Sequence, residues 1–214
     1  MNKIFLITRP KHDATTHYLF NWSKEVIELA RKKGIQVLDL QKERANRKEL
    51  TSIIKKKQPL FIFLNGHGGA NFVAGHDEEI LIKGGDNEDL LKSKLVYALS
   101  CQSAKRLGRK SIKKGAIAYF GYDDDFIFVF DQTKITRPIE DLTAKLFFEP
   151  SNQIAISLLK GNKTKDAYKR SQQAFIRNIQ GLLTSESSID YSYIRYLLWD
   201  MQHQVCLGNK EAVF

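Results

Sequence analysis

Two side chains in this sequence have types that could act on one bond together: His67 and Cys101. His67 closes an apolar run in FIFLNGHGG, residues 61–69, and Cys101 closes another in LVYALSC, residues 95–101. A thiolate is a strong nucleophile, and an imidazole within reach can take the thiol proton or hold the thiolate. The glycines around the histidine fit the same chemistry. An acyl-transfer intermediate needs backbone N–H donors aimed at its oxyanion. Gly68 has no side chain to screen its N–H, and the Cys101 N–H would be the second donor. Gly66 and Gly69 permit a turn that sends His67 outward.

These residues need elements to carry them. Lys3–Thr8, Gln36–Leu40, Leu60–Leu64, Leu95–Leu99 and Ala116–Phe120 read as strands. Helical patterns lie between them at Thr15–Lys33, Arg47–Lys57 and Ala104–Lys114. Strands that are apolar on both faces and alternate with helices indicate a parallel sheet. In such sheets functional residues gather beyond the carboxyl ends of the strands. His67 and Cys101 both sit there, and their separation of 34 residues is enough for a crossover between neighbouring strands. Cys101 is also expected to open a helix, whose N-terminus would lower the thiol pKa. Between the two motifs, Phe72–Ala74 and Ile80–Ile82 read as a small hairpin, and Asp86 as the cap of a short helix. The C-terminal third reads as helices at Ile139–Phe148, Ile154–Leu159, Thr164–Leu183 and Asp190–Cys206, packed on the sheet. The expectation is one α/β domain over residues 1–214, with a sheet core at 1–130 and helices at 138–207. Cys206 reads as a structural residue of the last helix, and Trp22 and Trp199 as core.

Composition narrows the class. The chain has 214 residues, 43% hydrophobic and 27% charged, ordinary for a soluble globular protein. No apolar run approaches the roughly 18 residues of a membrane span, and the N-terminal run is too short for a signal peptide. A soluble, cytoplasmic protein with no membrane partner is expected. Two cysteines make no disulfide framework. The net charge of +10 raises a nucleic-acid partner as one reading. The basic residues are spread along the chain without a nucleic-acid motif or aromatic platform, so solvated helix faces are the reading preferred. There is no phosphate-binding or dinucleotide glycine loop, and no cofactor is expected. His67, His76 and Asp77 fit no standard metal spacing, so no metal is expected either.

FIFLNGHGG followed by LVYALSCQSA resembles the two-motif signature of the caspase-fold cysteine peptidases, a superfamily that includes caspases, legumains, gingipains, clostripains, separases and bacterial CHAT-domain proteases. GAIAYFGYDDDF resembles the strand that follows in that fold and leads to a substrate-pocket loop. The hairpin after His67 and the ending YLLWDMQHQVCLGN look most similar to CHAT-type members. The resemblance covers Lys3 to Phe130 well and the C-terminal helices weakly. It implies a caspase-like three-layer sandwich with a mostly parallel six-stranded sheet. It implies Cys101 as nucleophile and His67 as general acid/base, cleaving a protein substrate through a thioester. Latency until a partner or effector acts is common in such proteins. Ser100 stands where Ala or Gly is commoner. Inactive members also exist, so a non-catalytic binding module is the rival reading, beside a basic nucleotide- or nucleic-acid-binding α/β protein.

Further residues are candidates. The loop after the first strand offers Arg9, His12 and Asp13. Asp13 suits an imidazolium as its orienting carboxylate, and equally suits the N-cap of the helix that follows. His12 and His17 read as surface or capping residues. Asp123, Asp124 and Asp125 form either an acidic pocket for Lys or Arg before the cut bond, or a solvated turn. Arg9 is the competing specificity residue, favouring an acidic side chain. With an acidic pocket, GRKSIKK and IKKKQ would be sites of self-cleavage.

Overall fold

In the computed structural model, residues 3–184 and 191–214 are described. Five parallel strands form from the apolar runs: β1 Ile4–Arg9, β2 Gln36–Gln41, β3 Phe61–Asn65, β7 Leu95–Leu99 and β8 Ala118–Tyr122. Three short strands lie between β3 and β7: β4 Gly68–Gly69, β5 Phe72–Ala74 and β6 Ile80–Lys83. A last strand, β9 Gln204–Gly208, runs antiparallel to β8. The main sheet has the order β2-β1-β3-β7-β8-β9, and β4-β5-β6 form a small antiparallel sheet beside it. The fold is α/β with a mixed, mostly parallel six-stranded sheet flanked by helices.

Alternation along each strand explains the layers. Phe5, Ile7, Phe61, Phe63, Leu95 and Tyr97 face one core, with α1 Ala14–Trp22, α2 Lys24–Lys32 and α5 Leu142–Leu159 against it. Leu6, Ile62, Leu64, Val96, Ala98 and Tyr119 face the other. There α3 Arg47–Lys57, the hairpin, and the turn that leads into α4 Arg109–Lys113 cover the sheet. Burial on both faces is what a near-continuous apolar run of five residues reflects.

Several elements differ from the sequence reading. The helix expected over Thr15–Lys33 is two helices that meet at Ser23, whose hydroxyl bonds the Phe20 carbonyl at 3.2 Å. The short helix before β7 is a 3-10 turn, Glu88–Leu91, preceded by Asn87 rather than Asp86, while Asp86 pairs with Arg47 at 2.8 Å. The two helical stretches at 139–159 are one helix, α5, that passes through Pro150. A proline has no N–H for the carbonyl four residues back. Here that carbonyl, Leu146, accepts from Asn178 Nδ2 at 2.8 Å instead. Asn178 lies on α6 Thr164–Thr184, which packs mainly on α5 and meets the sheet at its edge strand β9. With α7 Ile194–His203 these helices close a third core around Phe147, Phe175, Leu182 and Leu197. Asp190, the expected start of the last helix, lies outside the described residues. The helical pattern that was to run on to Cys206 stops at His203, because the free edge of β8 pairs with residues 204–208. Cys206 is therefore an edge-strand residue, opposite Phe120. Trp22 is buried, as expected of core, but Trp199 is 36% exposed and uses its ring nitrogen elsewhere.

Candidate active site

The register of two neighbouring strands places the site. On β3 and β7, Asn65 stands opposite Leu99. His67 lies two residues beyond Asn65 and Cys101 two beyond Leu99, so both emerge from the same sheet edge on adjacent strands. Two further contacts tie the segments together. A Cβ added at Gly68 would lie 2.2 Å from Ser100 Oγ and 2.9 Å from the Cys101 carbonyl. The Ala70 carbonyl accepts the N–H groups of Arg106 and Leu107 at 2.9 and 3.0 Å. Helix starts have N–H groups without helical partners; here the β4–β5 turn supplies one.

The glycines have specific tasks. Gly66 has φ +146°, and a Cβ there would stand 2.2 Å from the Ala74 carbonyl. Gly68 pairs opposite Val73, and the next bond in the ladder runs from Ala74 N–H to the His67 carbonyl at 2.9 Å. In an antiparallel pair such an alternation leaves the Gly68 N–H directed away from β5. Gly69 belongs to β4 opposite Phe72 rather than to a loop.

His67 is held by a carboxylate. Its Nε2 lies 2.6 Å from Asp13 Oδ2. The other carboxylate oxygen of Asp13 accepts the Thr16 N–H and hydroxyl, each at 2.7 Å, as the N-cap of α1. The two roles considered for Asp13 thus coexist, one on each oxygen. Burial works to raise the Asp13 pKa. The Thr16 bonds and the His67 ring outweigh it, and the carboxyl sits below its usual range. His12 and Glu78 crowd the same spot: Glu78 Oε1 is 3.2 Å from His12 Nε2 and 3.6 Å from His67 Nε2. His12 is thus part of this cluster and not a surface residue. Its participation had no spacing signal, because Glu78 arrives from a distant loop. Asp77 and Glu78 both have left-handed backbone, with φ of 50° and 60°. Such conformations in non-glycine residues cost on the order of 1–3 kcal/mol each.

The cysteine end differs from expectation. No helix begins at Cys101. Gln102 is left-handed, with φ 54°, and a π-helical turn over Ala104–Gly108 leads into α4. The thiol therefore gains no helix N-terminus. It donates to the Phe126 carbonyl at 3.7 Å. Burial, with the nearby Asp125 carboxylate adding, pushes its pKa up to about 11. Ser100 is buried, and its hydroxyl has no partner among the described residues.

Residues 123–131 lie over Cys101 as a strap. Phe126, Phe128 and Phe130 pack inward, with Tyr122, Tyr18 and Phe148 as ring neighbours. The backbone is pinned by α7: Trp199 Nε1 donates to the Asp125 carbonyl at 2.9 Å, and Asp200 Oδ1 accepts the Ile127 N–H at 2.9 Å. The three aspartates that open the strap are engaged. Asp123 pairs with His203 Nδ1 at 2.9 Å, Asp124 accepts the Asp125 N–H, and Asp125 accepts from Gln102 at 3.0 Å. Arg9 is engaged within the fold. It is 4% exposed, forks onto Asp39 at 3.0 and 2.6 Å, and bonds the Phe20 carbonyl at 2.8 Å. An open cleft of about 540 Å³ lies instead beside Asp13, lined by Lys11, His12, His17 and Ile135 among others.

Compared with known proteins, the chain matches no family model and no curated protein sequence. Among the described residues, no helix is long and apolar enough to cross a membrane.

Proposed function

We propose that the chain is a cysteine endopeptidase of the caspase-like type, with Cys101 as nucleophile and His67 as general acid/base. The observation that carries this reading is the strand register, which sets both residues two positions beyond paired ends of adjacent parallel strands. Asp13 on Nε2 would fix the imidazole and stabilise its cationic form, leaving the other ring nitrogen for the thiol proton. Attack on a peptide carbonyl would form the thioester with His67 protonating the leaving amine, and water would then release the acid. The N–H groups of Gly68 and Cys101 are the proposed oxyanion donors.

A thiol at about 11, covered by the strap, describes a resting state. The same observation favours the second reading, a non-catalytic relative that uses this fold for binding. Incubation with a peptide library varied at the position before the cut bond separates the two. We expect cleavage by the intact chain that Cys101→Ala abolishes and His67→Ala lowers by about 10³-fold or more. Cleavage undiminished in Cys101→Ala would exclude the peptidase. Cleavage after Lys or Arg, lost when Asp123, Asp124 and Asp125 are changed together, would assign specificity to the strap.

A further inference from the structure

We propose that His12, Asp13, His67 and Glu78 form a binding site for a zinc-like divalent cation, and that the cation takes His67 out of service. One ligand atom from each of the four residues lies within 4.8 Å of all the others. Ligands at about 2.0–2.1 Å around tetrahedral zinc stand about 3.3–3.4 Å from one another. The separations between ligand atoms bracket that value. They are 2.6 Å for His67–Asp13, 3.2 Å for His12–Glu78, 3.6 Å for His67–Glu78 and 3.8 Å for His12–Asp13. The shortest is a hydrogen bond that the ion would replace.

The ligand chemistry selects the metal. Two imidazole nitrogens and two carboxylate oxygens suit zinc and its first-row neighbours, whereas magnesium and calcium prefer oxygen alone. The two carboxylates balance a divalent charge within a basic chain. One ligand already has the outer hydrogen bonds that a metal-binding carboxylate has. Asp13 is fixed through its other oxygen by Thr16. Glu78 follows Asp77 on left-handed backbone. One adjustment is required. His12 Nδ1 now accepts the Asp77 N–H at 3.2 Å. Coordination through Nε2 puts the proton on Nδ1, so that long contact is given up. The site opens to water on the Glu78 side, where the side chain is 58% exposed, which gives an ion a way in.

Metal binding here does not require the chain to be a peptidase; only its inhibitory consequence rests on that reading. A metal on Nε2 displaces Asp13 as the ring's orienting partner and fixes the remaining proton on the nitrogen that would receive the thiol proton. His67 can then no longer act as base.

The test uses the full chain, stripped of metal and titrated with Zn²⁺ against a chromophoric chelator, with Co²⁺ absorption reporting coordination geometry. We expect one equivalent bound, tetrahedral Co²⁺ bands without a sulfur charge-transfer band, and no competition from Mg²⁺. Glu78→Gln and His12→Ala, each checked for an unchanged melting temperature, should weaken binding by roughly tenfold or more, while Cys101→Ser leaves it unchanged. Failure of the intact chain to compete for Zn²⁺ overturns the proposal. So does binding unaffected by both ligand variants, or binding lost in Cys101→Ser. Zinc binding with no cleavage by the metal-free chain would retain this site and count against the peptidase reading.

Discussion

The histidine half and the cysteine half of the site are built in opposite ways. His67 stands in a polar, partly open cluster with Asp13, His12 and Glu78, already oriented by a carboxylate. Cys101 lies under an aromatic strap, its thiol neutral and bonded to a backbone carbonyl. A base can be assembled in water because charged partners tolerate exposure. A thiol is silenced simply by burial, which disfavours the thiolate. Switching activity on therefore has to act on the cysteine half, by moving the strap, while the histidine half offers a place to switch it off with the strap left where it is.

The largest test of this contrast is Asp13→Asn. Asparagine caps a helix as well as aspartate, so the melting temperature should hold. The amide would present a donor to Nε2, and cleavage should fall by about 10³-fold. Unchanged cleavage would mean that the histidine half is not pre-oriented by Asp13. Next is the seam between the halves. Gly68→Ala forces a methyl into Ser100 Oγ and the Cys101 carbonyl, and should destabilise the chain by about 1–3 kcal/mol in denaturant unfolding. Gly181→Ala, on α6 with nothing within 4 Å of the added carbon, should go the other way by up to about 1 kcal/mol. Equal effects at the two glycines would dissolve the seam. Third, Trp199→Phe keeps an aromatic ring but removes the bond to the Asp125 carbonyl. A lost bond worth about 0.5–1.5 kcal/mol predicts alkylation of Cys101 about 2–10-fold faster. No acceleration would show that α7 does not hold the strap. The smallest change needs only pH. With Cys206→Ser to remove the second thiol, itself near 11, Cys101 alkylation should still be rising beyond the usual thiol range and level off near 11. The sign follows from burial: the neutral thiol is the favoured form, so the reactive thiolate appears only at higher pH. A plateau near 8.5, the value of a free cysteine, would place the thiol in the open.

Five strands, the hairpin and the two end-of-strand residues were legible in the sequence for one reason. β1, β3, β7 and β8 are buried over nearly their whole length and so are continuous apolar runs, and a glycine marks where β3 stops. What was illegible depends on partners far along the chain. Residues 204–208 continue the apolar spacing of α7, and only the open edge of β8 makes them a strand. Gln102 belongs to a helical-looking stretch, yet its left-handed backbone delays the helix and deprives Cys101 of its N-terminus. Asp123 looked like half of a pocket, but its partner, His203, is 80 residues away. The apolar residues of the strap look like a strand, but its backbone groups bond side chains of α7 instead. The role of Asp13 was legible only as two alternatives, because a sequence does not say that one carboxylate can serve both.

The antiparallel pairing of β9 with β8 has a consequence in time. On a ribosome, β8 emerges some 80 residues before Gln204, the first residue of its last neighbour. Until then the nascent chain carries an open sheet edge, the kind of surface that invites pairing with other chains. It also lacks α7, and so the pins of the strap. The pins over Cys101 are thus made long after the thiol itself, and a chain interrupted before α7 would have its thiol, its histidine and the strap, but nothing from α7 to hold the strap in place.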